Sequence, residues 1–132
     1  MEITTATKQG RVPITIIHIS GNLDSNTYLN FQAKAEELMN AGTHHLLVDM
    51  TNVPYVSSAG LRALQTIFNL LRAKYEGDDD KEMHKGISAG TYKSPSLKIY
   101  NLSKDAETAF KTAGFDMFID TFTDMEAAIS SF

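Results

Sequence analysis

Cysteine is absent from the 132 residues. That excludes disulfides, zinc–thiolate centres and a thiol nucleophile, and it fits a reducing compartment. No apolar stretch approaches the ~18 residues that a membrane-spanning helix needs. The opening residues 1–8 lack the apolar core of a signal peptide. The 12 Lys and Arg are outnumbered by 16 Asp and Glu, giving a formal net charge of −4. Basic residues never gather into a run, so the basic stripe of a nucleic-acid binder is missing. A cytoplasmic protein with no direct nucleic-acid and no membrane partner is expected.

Several site chemistries are also missing. There is no Gly-x-x-x-x-Gly-Lys phosphate loop, and Gly86-Ile87-Ser88-Ala89-Gly90 is too weak to replace one. His18, His44, His45 and His84 show no metal-ligand spacing. Asp78-Asp79-Asp80 resembles half a calcium loop but lacks its alternating order and distal glutamate; it reads as a solvated charge run. No cofactor and no metal are expected.

What remains is an ordinary globular composition, 42% hydrophobic and 21% charged. The length suits one domain over 1–132, and such a domain hides roughly two-thirds of its unfolded surface without staples. Residues 14–19 are β-branched and suit a buried strand; an edge strand or hairpin arm near Ile3 precedes them. Asp24 or Ser25 is placed to cap a helix whose inward face is Tyr28, Phe31, Ala35, Leu38 and Met39, closed by Gly42. Residues 44–50 form a strand whose apolar residues are consecutive, the mark of a central parallel strand covered on both faces. His44 and His45 at its start should point to opposite faces. A second helix carries Leu61, Leu64, Ile67, Phe68, Leu71 and Tyr75 inward. A polar insertion follows at about 76–95. Residues 96–100 alternate, as a strand with one wetter face would. Ser103 or Asp105 caps a helix with Ala106, Ala109, Phe110 and Ala113 inward, ended by Gly114. Residues 115–120 read as a short strand, and Thr123 as the cap of a last helix bearing Met125, Ala128 and Ile129. Strands alternating with helices imply right-handed crossovers and a mostly parallel sheet.

Between the central strand and its helix lies Thr51-Asn52-Val53-Pro54-Tyr55-Val56-Ser57-Ser58. Pro54 ends regular pairing, and the two hydroxyls fall where the helix starts. Either serine can act as an N-cap. A helix N-terminus with free amides also tolerates a phosphate there. A nucleophile elbow needs Gly-x-Ser-x-Gly and a histidine partner. Val56 stands in place of the first glycine, and only His84 follows the motif, so an esterase is disfavoured.

Leu47-Val48-Asp49-Met50, followed by Val53-Pro54-Tyr55-Val56-Ser57-Ser58-Ala59-Gly60-Leu61, resembles the signature of STAS domains, which include the bacterial anti-sigma factor antagonists (anti-anti-sigma factors). Ser20-Gly21-Asn22-Leu23-Asp24 resembles the family's first-strand ending, and Ala113-Gly114-Phe115 its helix ending before the last strand. The match spans about 12–75 and 96–131. The resemblance implies an α/β STAS-like fold, a four- or five-stranded mostly parallel sheet with about four helices packed mainly on one face. It implies no catalysis. It implies a phosphorylation-controlled module that sequesters a serine-kinase anti-sigma factor and so releases a sigma factor. The kinase's acceptor would be Ser58, two residues before the Gly-Leu pair, with Ser57 as a lesser second acceptor. A PP2C-type phosphatase would reverse the modification. Ser57 stands where many antagonists have aspartate, and Ala59 where many have Ser or Thr. The implied docking surface is Asp24, Ser57, Ser58, Gly60 and Leu61, with Asp24 near Ser58 if neighbouring strands end on the same side. A monomer or weak homodimer is expected. The alternative is a scaffold subunit of a larger signalling complex that releases no sigma factor.

Overall fold

The β-branched run at 14–19 becomes the second strand of a five-stranded sheet. A computed structural model describes residues 1–75 and 93–132. Its strands β1 (Glu2–Gln9), β2 (Pro13–Ser20), β3 (Leu46–Asn52), β4 (Leu97–Tyr100) and β5 (Thr121–Phe122) lie side by side in chain order. β1 is antiparallel to β2, and every later pair is parallel. The helices among the described residues are α1 (Tyr28–Asn40), α2 (Ser58–Tyr75), α3 (Lys104–Thr112) and α4 (Met125–Ser130). None of them is long and apolar enough to cross a membrane.

Strand order decides where the helices go. Right-handed crossovers between strands added in one direction send every connecting helix to the same face. Phe31, Ala35 and Met39 of α1, Leu64, Ile67 and Phe68 of α2, and Ala106 and Phe110 of α3 accordingly share one core. The sheet contributes Ile17, Ile19, Val48, Met50 and Ile99 to it. On the opposite face Ile14, Ile16 and Leu47 are covered by α4 through Ala128. β3 is therefore buried on both faces along its first half, as its consecutive apolar residues predict. Of the four or five strands expected the sheet has five, mostly parallel, with the helices mainly on one face.

Several local expectations change. α1 is not capped by Asp24 or Ser25. Asp24 is committed to the turn before it: its carbonyl accepts from the Thr27 and Tyr28 amides, and its carboxylate from the Asn26 amide. The far end of α1 is a Schellman closure, with the Gly42 amide on Met39 and the Thr43 amide on Leu38. Gly42 has φ +105°, which suits glycine. His44 and His45 precede the strand and do not alternate; their rings stack at 4.3 Å, and His44 stacks on Tyr75 at 3.9 Å. Burial, then the neighbouring His44, depresses the pKa of His45.

β4 has no wet face. Lys98 is buried under α4, where its Nζ donates to the Ser131 carbonyl and lies 5.0 Å from the Phe132 ring centre. Burial holds its amine below the ordinary lysine range, with Asp120 opposing that shift. Residues 115–120 are not a strand. Phe115 turns inward against Phe110 and Phe118, making a short 3-10 turn over Phe115–Met117, and pairing resumes only at Thr121. Ala113 is exposed. Ser103, not Asp105, caps α3, and Asp124, not Thr123, caps α4.

The insertion read at about 76–95, with Asp78-Asp79-Asp80, His84 and Gly86 to Gly90, lies outside the described residues up to position 92. Ser94 is buried, and its Oγ accepts from the amides of Ser96 and Leu97 as β4 begins.

Candidate functional site

Parallel strands end on a common edge, and the loop 53–57 crosses that edge between β3 and α2. Pro54 has no amide to offer a ladder, yet the loop is tied at almost every step. The Gly21 amide donates to Asn52 O at 3.0 Å, and the Leu23 amide to Tyr55 O at 3.0 Å. The Ser57 amide returns to Leu23 O at 2.9 Å, giving an isolated parallel bridge between Leu23 and Val56. This pairing extends past the ends of β2 and β3 and sets Asp24 next to the Ser57–Ser58 backbone.

The two serines have different duties. Ser57 is the cap: its Oγ accepts from the Gly60 amide at 3.3 Å and its carbonyl from the Leu61 amide at 2.9 Å. Ser58 is the first residue of α2, is exposed, and its hydroxyl makes no hydrogen bond to any described residue. Asp24 and Leu61 are half-buried at its flanks. Gly60 faces inward. A Cβ there would stand 2.6 Å from Leu23 O and 2.9 Å from Leu23 Cγ, so its lack of a side chain lets α2 start against the Leu23 segment. Exposed apolar side chains rim the same edge: Tyr55 of the loop is 52% exposed and Leu29 of the first turn of α1 is 60% exposed.

The other flank is polar and was not anticipated. His18 pairs with Asp49 in the parallel register of β2 and β3, on the face opposite α1, α2 and α3. Its Nδ1 lies 2.6 Å from Asp49 Oδ2. Asp49 Oδ1 accepts from the Thr51 amide at 2.9 Å and the Thr51 hydroxyl at 2.6 Å. Asn101 Nδ2 donates to Thr51 Oγ1 at 3.1 Å, and Ser103 Oγ donates to Pro54 O at 3.1 Å. Burial pushes the Asp49 carboxyl up, but the Thr51 and His18 hydrogen bonds overcome it and hold its pKa below the ordinary value. The signal in the sequence was alternation. His18 follows Ile14 and Ile16, and Asp49 follows Leu47, at the same side-chain parity, where α4 no longer covers the sheet.

Among the described residues, neither serine hydroxyl is hydrogen-bonded to a histidine. No group of three or more metal-binding side chains occurs among the described residues. The Ser58 hydroxyl makes no hydrogen bond to a described residue, and it stands at the positive end of the 18-residue α2 on the edge that also carries Asp24, Tyr55 and Leu29.

A model of the STAS domain matches residues 5–75. No curated protein matches the chain in sequence. Among solved structures, an anti-sigma factor antagonist from Mycobacterium paratuberculosis superimposes with a TM-score of 0.69 at 13% identity, over 98% of this chain and 93% of that one. SpoIIAA, an anti-sigma factor antagonist, in its unphosphorylated form gives 0.61 at 13% identity, over 97% of this chain and 94% of its own. The Bacillus cell fate determinant SpoIIAA in its phosphorylated form gives 0.63 at 14% identity, covering 97% and 96%. Identities this low speak for a common fold and leave each site residue to be argued from this chain.

Proposed function

The chain belongs to the STAS domain family, and from that membership we propose that it is an anti-sigma factor antagonist, a binding module switched by phosphorylation of Ser58 rather than a catalyst. Residues 1–132 act as one STAS unit, as a monomer or weak homodimer. The unmodified module sequesters a serine-kinase anti-sigma factor and thereby frees a sigma factor. The kinase phosphorylates Ser58 and ends the association, and a PP2C-type phosphatase restores it. Ser57 is the lesser acceptor.

The observation that carries this reading is the division of labour between the serines. Ser57 spends its oxygen on the helix cap, while the exposed Ser58 hydroxyl makes no hydrogen bond to a described residue. A phosphate there adds about −1.5 to −2 charges at the end of a helix that favours anions. The domain itself tolerates the charge, and the cost falls on a partner surface that must desolvate it. A hundredfold loss of affinity needs only ~2.7 kcal/mol. Asp24, Ser57, Ser58 and Leu61 form the docking edge, with Gly60 shaping it from beneath.

Incubation with the cognate kinase and ATP, followed by mass spectrometry, is expected to place phosphate on Ser58. Full phosphorylation of Ser58→Ala would overturn the assignment. The kinase should bind Ser58→Ala as it binds the wild type and bind Ser58→Asp at least tenfold more weakly; equal affinities would end the switch.

A further inference from the structure

The loop 53–57 is clamped from two sides by different means. Segment 21–23 holds it through backbone pairing. Segment 101–103 holds it through side chains, with Ser103 on Pro54 in the loop and Asn101 on Thr51 near the end of β3, two residues before it. The side-chain clamp extends inward as a set of donors that converge on Asp49 from two sides. Asn101 Nδ2 donates to Thr51 Oγ1, Thr51 Oγ1 donates to Asp49 Oδ1, and His18 Nδ1 donates to Asp49 Oδ2. The directions follow from chemistry. An ionised carboxylate only accepts, so the ring carries its proton on Nδ1 and the Thr51 hydroxyl hydrogen points to Asp49. That leaves a Thr51 lone pair for the Asn101 amide. Asp49 sits at the centre, its side chain 14% exposed against 39% for His18.

The backbone accepts an unusual conformation to complete the chain. Asn101 is the one non-glycine residue with positive φ among the described residues, at +64°. Asparagine enters that region at some cost, and glycine enters it freely. Its presence brings an amide to Thr51 just where β4 ends and the cap of α3 begins.

We propose that His18, Asp49, Thr51 and Asn101 are positioning residues, a hydrogen-bonded brace on the open sheet face that anchors the end of β3, from which the loop 53–57 leaves, and that together with the Ser103–Pro54 bond next to it fixes how Ser57 and Ser58 are presented. The link to Ser58 rests on the function proposed above; the brace itself does not. Three strands contribute to it, since β2, β3 and the end of β4 each supply a member. The network thus ties the docking edge to a surface that α1, α2 and α3 do not touch.

Amide hydrogen exchange, followed by NMR on the unmodified full chain at fixed pH, tests the brace without a kinase. Asn101→Gly is the decisive variant, because it keeps the backbone conformation comfortable and removes only the side-chain donor. Exchange at the Val53, Ser57 and Gly60 amides is expected to quicken up to about tenfold, the effect of one lost hydrogen bond, while amides of β2 and α1 hold their rates. His18→Leu should quicken the same amides, and His18→Asn, which returns a donor near the Nδ1 position, should restore them. Unchanged exchange at 53–60 in Asn101→Gly, or equal acceleration across the whole core, overturns the proposal. Equal acceleration in His18→Leu and His18→Asn overturns the role of the ring. If Ser58 proves not to be the phosphate acceptor while these rates change as stated, the function proposed above fails and the brace stands.

Discussion

At the scale of single residues, Asp49 couples the edge to pH. Its carboxyl is held below the ordinary value of 3.8 by Thr51 and His18 against the opposing effect of burial. A depressed folded pKa contributes stability that is fully present above the unfolded value and is lost as pH falls through the lower native one. Wild type should therefore lose stability below about pH 4, and Asp49→Asn should show a shallower acid limb in urea melts taken across that range. Gly60 makes a second claim at this scale. Alanine would gain helix propensity of about 1 kcal/mol, but its Cβ would meet a carbonyl oxygen already engaged by the Ser57 amide. Overpacking against fixed backbone costs about 1–3 kcal/mol, so Gly60→Ala should lower the urea midpoint, with a net loss of up to about 2 kcal/mol. The individual residues of the serine motif were legible in the sequence, because Gly60, Leu61 and the serines stand in a specific order. The His18–Asp49 pair was not. Its partners are 31 residues apart, and only the register of β2 against β3 brings them together.

At the scale of elements, the test is the start of α2. Ser57→Ala removes the cap and should cost about 1 kcal/mol, whereas Ser58→Ala, at an exposed position with no bonded partner, should stay within about 0.5 kcal/mol. Paired chemical melts of the two variants read the difference directly, and the reverse order would show that Ser58 is the cap. The apolar faces of α1 and α2 were readable because long helices repeat their pattern over several turns. The shorter elements misled for physical reasons. The polar residues of β4 suggested a wet face, but Lys98 folds its amine beneath α4 and finds Ser131. The aromatic and apolar residues of 115–120 look strand-like, yet Phe115 and Phe118 are drawn to Phe110 and Phe68, and the chain turns instead of extending. The caps of α1 and α4 were misplaced by a residue or a few, whereas Ser57 and Ser103 were among the caps named for α2 and α3.

At the scale of the whole molecule, the alternation of strands and helices was enough to predict a parallel sheet. The antiparallel β1 was legible only as a weak arm near Ile3, since its polar residues carry little periodic signal. The fold as a whole should be indifferent to the modification proposed for it. Ser58→Asp places a charge at the favourable end of α2, so its urea midpoint should match that of wild type to within about 0.5 kcal/mol. A larger loss would mean that any effect on binding comes from unfolding rather than from the docking edge.

The chain-ordered sheet bears on how the protein is made. Each strand after the first pairs with its immediate predecessor, so a chain emerging from its N-terminus can lay down β1 on β2, then β3, then β4, without waiting for a distant partner. Only one edge grows, and until β5 pairs it is an open template for pairing with other molecules. The final strand is two residues long, too short to serve as a docking rail. The last strand to be laid down thus blunts the edge that the earlier ones kept open.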